Sequence, residues 1–206
     1  MSPCRCPEPH ARRRIVLTGG PGAGKTAVLE FVRRCVCRHV TVLPEAASIL
    51  FGGGFRRGAT VAGLEATQRA IYHVQRELEV VAEAEDGPTV QLCDRGTVDG
   101  FAYWPPQTDY WSSLGTTRER ELRGYDAVIH LRTPPIENGY NHQNPVRLES
   151  ALEAAAVDQR IAAAWHGHPR LFVVESTPVF ATKLQQAVEL LRAELPECCR
   201  EHWPAP

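Results

Sequence analysis

Five short runs of the chain are apolar or β-branched at successive positions: 15–18, 40–43, 89–93, 127–131 and 171–174. They lack the alternation of a strand with one wet face, so they predict parallel strands covered on both sides. Between them, apolar residues recur every three or four positions. Leu64, Thr67, Ile71, Val74, Leu78 and Val81 predict a helix with that stripe buried, and Gln68, Tyr72 and Gln75 share a second face. A second helix is predicted from about Pro145 to Trp165, with the proline in its first turn. A third carries Phe180, Leu184, Ala187, Leu191 and Leu195 and ends near Pro196. Strands alternating with helices imply βαβ units and a doubly wound, five-stranded parallel α/β sheet.

The intervals that fit neither period are glycine- and proline-rich. Residues 52–58, 104–117 and 134–145 read as loops, and long connections in a compact domain are often lids or binding loops. The expected organisation is a flexible arm over 1–12, a domain over 13–195 with a lid at about 134–165, and a tail over 196–206.

The residues between the first strand and its helix carry the sharpest chemistry. Gly19-Gly20-Pro21-Gly22-Ala23-Gly24-Lys25-Thr26 fits G-x-x-x-x-G-K-[ST], the phosphate-binding P-loop or Walker A motif. Glycines let backbone N–H groups curl around an anion. The helix that begins near Ala27 adds its N-terminal dipole. Lys25 can reach the β/γ-phosphates and the Thr26 hydroxyl can ligate Mg²⁺. This implies a bound nucleoside triphosphate, ATP or GTP, with Mg²⁺.

Other candidates lie where the strands end, since sites in such sheets form at the carboxyl edge. Asp94-Arg95-Gly96 follows the third strand. Asp94 would bind Mg²⁺ or take a proton from an attacking hydroxyl, and Arg95 would neutralise phosphate. Glu45, just past the second strand, would bind an acceptor hydroxyl at the site rim or assist as a base. Gln68, Tyr72 and Gln75 offer groups able to pair with a base or amide. Arg147 and Asp158 are eleven residues apart, near one helical face, and Arg160 is off it. Arg147, nearest the long loop, is the candidate lid arginine.

Charge and cysteine usage narrow the partners. The formal net charge of -1 gives no basic excess for nucleic acid. No apolar run approaches the roughly 20 residues of a membrane span. The first residues lack an apolar leader core, so a cytoplasmic protein is expected. Cys4, Cys6, Cys35, Cys37, Cys93, Cys198 and Cys199 occur as C-x-C twice, C-C once and one single residue, not as C-x₂-C. Free thiols are therefore expected rather than zinc ligands, with Cys93 in the core. The terminal cysteine pairs would meet only if the two chain ends lie close. His142, His166 and His168 lack supporting ligands.

Taken in order, the P-loop, Pro44-Glu45-Ala46-Ala47, the Gln68–Gln75 helix, Asp94-Arg95-Gly96, the segment 125–131 and Asn144-Pro145-Val146-Arg147 resemble a known group. It is the short AAA-like P-loop ATPase/kinase family, similar to the ribosylnicotinamide kinase domain and more distantly to deoxynucleoside kinases. The resemblance covers about residues 13–195. It implies a kinase-type sheet and ATP–Mg²⁺ as donor. It also implies that Asp94 acts near the acceptor hydroxyl and that Gln68 or Gln75 holds a base. A second lid arginine at the deoxynucleoside-kinase spacing is not evident, and no motif fixes the acceptor.

Two functions follow. The first is a small-molecule kinase acting on a nucleoside or nucleotide-like acceptor. The alternative is a regulatory nucleotide-binding NTPase without one. The N/T-K-x-D guanine motif of switch GTPases is absent, since Thr182-Lys183-Leu184-Gln185 does not complete it.

Overall fold

The computed structural model describes residues 6–8, 10–35, 37–84, 88–135 and 151–201. Its centre is a sheet of five strands: β1 (Arg13–Thr18), β2 (Val40–Leu43), β3 (Val90–Asp94), β4 (Ala127–Leu131) and β5 (Leu171–Val174). Their order is β2-β3-β1-β4-β5 and every pairing is parallel. In register, Ile15 sits between Leu92 and Ala127, and Leu17 between Asp94 and Ile129. Central β1 is thus flanked by the two strands whose ends carry Asp94 and Leu131.

The two sheet faces bury different residues of the same strands, as the period of two requires. Ile15, Leu17, Leu92, Ile129 and Leu131 pack beneath α1 (Lys25–Arg33) and α7 (Phe180–Glu194). Val16, Cys93 and Val128 pack on the other side with Val157, Ile161 and Trp165 of α6 (Ala151–Trp165). Double coverage explains the unbroken apolar runs. The remaining elements are α2 (Ala46–Gly52), α3 (Val61–Ala84), a 3₁₀ helix (Thr97–Tyr103), α4 (Tyr110–Ser113), α5 (Arg118–Leu122) and α8 (Glu197–Arg200). Among the described residues no helix is long and apolar enough to cross a membrane.

Helix α3 presents a different face from the one its apolar rhythm predicts. Its buried residues are Thr67, Gln68, Tyr72, Gln75, Glu79 and Ala82, whereas Val81 is 57% exposed. The reason is a buried polar network that pairs Tyr72, Gln75 and Glu79 on this face. Tyr72 donates to Glu121 Oε1 at 2.9 Å and Gln75 Nε2 donates to Glu79 Oε1 at 3.0 Å. Tyr125 donates to Glu79 at 2.7 Å, and Arg14 pairs with Glu79 at 3.3 Å. Paired polar groups can be buried without the penalty that the apolar rhythm assumes.

Candidate functional site: a P-loop beside a cavity

The loop from β1 to α1 has the backbone that a phosphate cradle needs. Gly19 has φ 140, and a Cβ there would lie 2.1 Å from the Leu131 carbonyl oxygen. Gly24 caps α1 at φ 96 in the left-handed region. Side chains distant in sequence pin the loop from outside. Gly20 N–H donates to Asp158 Oδ1 at 3.0 Å, and Thr133 donates to the Pro21 carbonyl at 3.2 Å. Lys183 donates to the Ala23 carbonyl at 2.8 Å and also to that of Arg132. Asp158 in turn bonds His130 Nε2 and Arg132, each at 2.9 Å. Burial raises the Asp158 pKa, but the His130 bond and the Gly20 N–H outweigh it and hold the carboxylate below its usual range.

Lys25 begins α1 and folds back over the loop, donating to the Gly19 and Gly20 carbonyls at 3.0 and 3.5 Å. Burial, and then the neighbouring Arg95 charge, lower its pKa to about 8 against the opposing pull of Asp94, Glu45 and Asp99. Pro21, Ala23 and Ala27 complete the loop and the helix start, and Thr26 is exposed there.

At the end of β3, Asp94 Oδ1 is buried with no hydrogen-bond partner among the described residues. Burial raises its pKa ahead of the opposing Lys25 charge. Arg95 has φ 72, a left-handed conformation that costs a non-glycine residue about 1 kcal/mol. It is held there at both ends. Its N–H donates to the Leu17 carbonyl at 3.1 Å, while its guanidinium pairs with Glu45 at 2.7 Å and Asp99 at 3.1 Å. Burial raises the Glu45 pKa, but the Arg95 charge, the Ser48 hydroxyl and Lys25 override it and bring it to about 2. Strain retained at such a position marks a site where geometry matters more than local ease.

Asp99, on the 3₁₀ helix, is the residue that the sequence reading missed. Its side chain is 4% exposed and accepts from Thr18, Arg95, the Gly96 N–H at 3.0 Å and Trp165 Nε1 at 3.1 Å. Only its spacing from Asp94, five residues on, hints at a part in this cluster.

Glu45, Arg95 and Asp99 border a cavity of about 630 Å³. One end is P-loop: Pro21, Gly22 and Thr26. The wall beyond holds Glu45, Arg95, Gln68 and Tyr72, with Gln75 also lining it. Gln75 and Tyr72 spend a donor each on Glu79 and Glu121. Arg147 lies outside the described residues, as do residues 136–150 of the lid expected over 134–165. Arg160 is placed elsewhere: its Nε donates to the Ala102 carbonyl at 2.7 Å and ties α6 to the 3₁₀ helix.

A parallel α/β sheet in this strand order, with a phosphate loop after its central strand, defines a P-loop fold of the nucleoside and nucleotide kinase type. Solved structures agree. A deoxyadenosine kinase from M. mycoides with bound dATP superposes at TM-score 0.57, with 14% identity over 86% of this chain and 98% of that one. Thymidylate kinase from Candida albicans gives TM-score 0.57 and 13% identity over 89% and 92%. No curated protein matches the sequence. The profile described as AAA domain matches residues 14–181, and the chain belongs to that family.

Proposed function

We propose that this protein is a small-molecule kinase that transfers the γ-phosphoryl group of ATP or GTP to a nucleoside or nucleotide-like acceptor. The observation that carries the reading is the cavity. It begins at the P-loop residues Gly22 and Thr26 and continues past Glu45, Arg95 and Gln68. At about 630 Å³ it falls in the size range of small-ligand sites. A nucleotide switch has no need of a cavity that extends so far beyond its phosphate loop. The likeness to kinases with nucleoside and nucleotide substrates supports the same class.

The donor's phosphates would rest on the N–H groups of residues 19–27 with Lys25 beside them. The triphosphate competes with the Gly19 and Gly20 carbonyls for Lys25 and offers more charge. The donors at the metal position are hard oxygens, the Thr26 hydroxyl and the unpartnered Oδ1 of Asp94, and they suit Mg²⁺. When bound, Mg²⁺ neutralises charge that develops between the phosphoryl group and its leaving oxygen. Asp94 serves as Mg²⁺ partner.

On the acceptor side, Glu45 and Arg95 form one rigid pair facing the cavity. With a pKa near 2, Glu45 is a weak base and a constant hydrogen-bond acceptor. It orients the attacking hydroxyl. Phosphoryl transfer runs through a loose transition state, so orientation and charge matter more than early deprotonation. Arg95 presents its fixed positive charge to the phosphoryl group. Gln68 and Tyr72 hold the acceptor's base or amide, with Gln75 behind them, and Arg147 closes over the phosphates from the lid.

The test is a phosphotransfer screen with ATP and GTP against nucleosides, ribosylnicotinamide and nucleoside monophosphates, with Lys25→Ala as control. Transfer to one class, abolished in the control, supports the reading. Failure of every acceptor while nucleotide hydrolysis or tight nucleotide binding persists overturns it.

A further inference from the structure

The strand edge opposite the P-loop gathers six sulfur and imidazole side chains from three distant parts of the chain. Cys37 and His39 lie on the turn that enters β2. Cys198 and Cys199 lie on α8, which follows the end of α7. Cys6 and His10 precede β1. Parallel strands all start at this edge and α7 ends there, so the fold itself brings the three segments together.

The ligand atoms of Cys37, His39 and Cys199 all lie within 4.8 Å of one another, those of Cys6, His10 and Cys198 form a second such group, and Cys198 also approaches the first. Cys37 Sγ and Cys199 Sγ lie 3.6 and 3.5 Å from His39 Nδ1. Cys198 Sγ lies 3.8 Å from both His39 Nδ1 and Cys199 Sγ. Tetrahedral zinc with Zn–S of about 2.3 Å and Zn–N of about 2.0 Å has S···S edges near ~3.8 Å and S···N edges near ~3.5 Å. Four edges of such a tetrahedron are therefore present. A fifth, Cys37 Sγ to Cys199 Sγ, is 2.7 Å, a contact that an ion between the two sulfurs would widen.

The surroundings are those of a built site. His39 is 4% exposed and Cys199 is 2% exposed. The His39 carbonyl accepts from Thr89 and Val90 N–H at 2.9 and 2.8 Å, so its backbone is locked to β3. The His39 ring also bonds the Cys6 backbone, the kind of outer contact that fixes the tautomer of a metal-bound histidine. Cys6 and His10 stand beside the set, with His10 Nε2 3.1 Å from Cys198 Sγ and its ring against that of His39.

We infer that Cys37, His39, Cys198 and Cys199 bind one structural zinc ion that clamps the C-terminal helix α8 to the entry of β2. Three thiolates and one imidazole favour Zn²⁺ over hard cations. Cys6 and His10 cover the site without ligating. The ion ties residues about 160 positions apart, far from the nucleotide loop, so its role is to hold the fold.

The test uses the full chain. Zinc is measured by elemental analysis after purification without chelator, and the stripped protein is titrated with Co²⁺. The expected result is one Zn²⁺ per chain, tetrahedral Co²⁺ d–d bands with a thiolate charge-transfer band, and a lower Tm after stripping. Cys37→Ser and Cys199→Ser lose the band. Cys35→Ser, Cys93→Ser and the Cys6→Ser/His10→Asn double variant keep it. Circular dichroism shows whether each variant is folded, and Co²⁺ titration of the unsubstituted stripped chain reads the site where a variant is not. The inference is overturned if the folded, fully reduced chain takes up no stoichiometric Co²⁺. It is also overturned if the double variant loses the ion, or if mass analysis shows Cys37 and Cys199 joined with loss of two hydrogens. None of these outcomes depends on phosphotransfer.

Discussion

Replacing Asp99 with alanine removes one carboxylate and strands four donors. The Trp165 and Thr18 side chains are each 0% exposed, so water cannot replace the lost acceptor for either. The Gly96 N–H loses its 3.0 Å partner at the start of the 3₁₀ helix. Arg95 keeps Glu45 but loses its more deeply buried counterion. Each unsatisfied buried donor costs about 1–3 kcal/mol, and these costs overlap because the cluster relaxes together. Breaking a buried charge pair from one side costs about 3–5 kcal/mol, which we take as the total for Asp99→Ala. At about 2–4 °C per kcal/mol for a chain of this length, Tm falls by about 6–20 °C. Asp99→Asn keeps the shape but turns an NH₂ group toward two donors, so it loses about half as much. Thermal and urea unfolding followed by circular dichroism provide the measurement. A double-mutant cycle with Arg95→Met isolates the pair, with a coupling of about 1–3 kcal/mol expected. If both Asp99 variants melt within about 2 °C of the parent, less than 1 kcal/mol is at stake. The hub role assigned to this carboxylate is then wrong.

Other outcomes follow from the same geometry. Glu45 titrates at about 2 when folded against an ordinary 4.5, so its pairing stabilises fully above pH 4.5 and is lost as pH falls toward 2. Allowing for its partial exposure, the loss is about 1–3 kcal/mol, and Glu45→Gln should flatten that stretch of the stability–pH curve. Lys25 titrates at about 8 in the free protein, so binding a triphosphate should raise its pKa and take up protons near and above pH 8. Calorimetry in buffers of different ionisation enthalpy reads this, and proton release instead would contradict the Lys25 assignment. Gly19→Ala places a methyl 2.1 Å from the Leu131 carbonyl, so soluble expression with unchanged nucleotide affinity would refute the loop geometry. Tyr72→Phe removes one of three donors to Glu121 and should cost about 1 kcal/mol in stability, with any larger effect appearing in acceptor KM.

The sheet and the phosphate loop were legible from the chain alone because both are local. A strand buried on two faces writes itself as a continuous apolar run, and three of the five runs match their strands residue for residue. A loop that must curl around an anion writes itself as glycines at fixed spacing. The strand ends followed as well, so Glu45, Asp94 and Arg95 lie at the carboxyl edge of the sheet, as expected from their places in the chain. What the sequence could not show depends on partners distant along the chain. Helix α3 buries Gln68, Tyr72, Gln75 and Glu79 because Glu121, Tyr125 and Arg14 arrive from elsewhere to pair with that network, and no periodicity in α3 records their arrival. Asp99 looks like one more surface acid until Trp165, Thr18 and Arg95 converge on it. Cys37, His39 and Cys199 make no motif at all, since their spacing is set by where β2 starts and α7 ends rather than by adjacency. Local backbone demands are spelled in neighbouring residues, whereas burial of polar and metal-binding groups depends on the packing that assembles their partners.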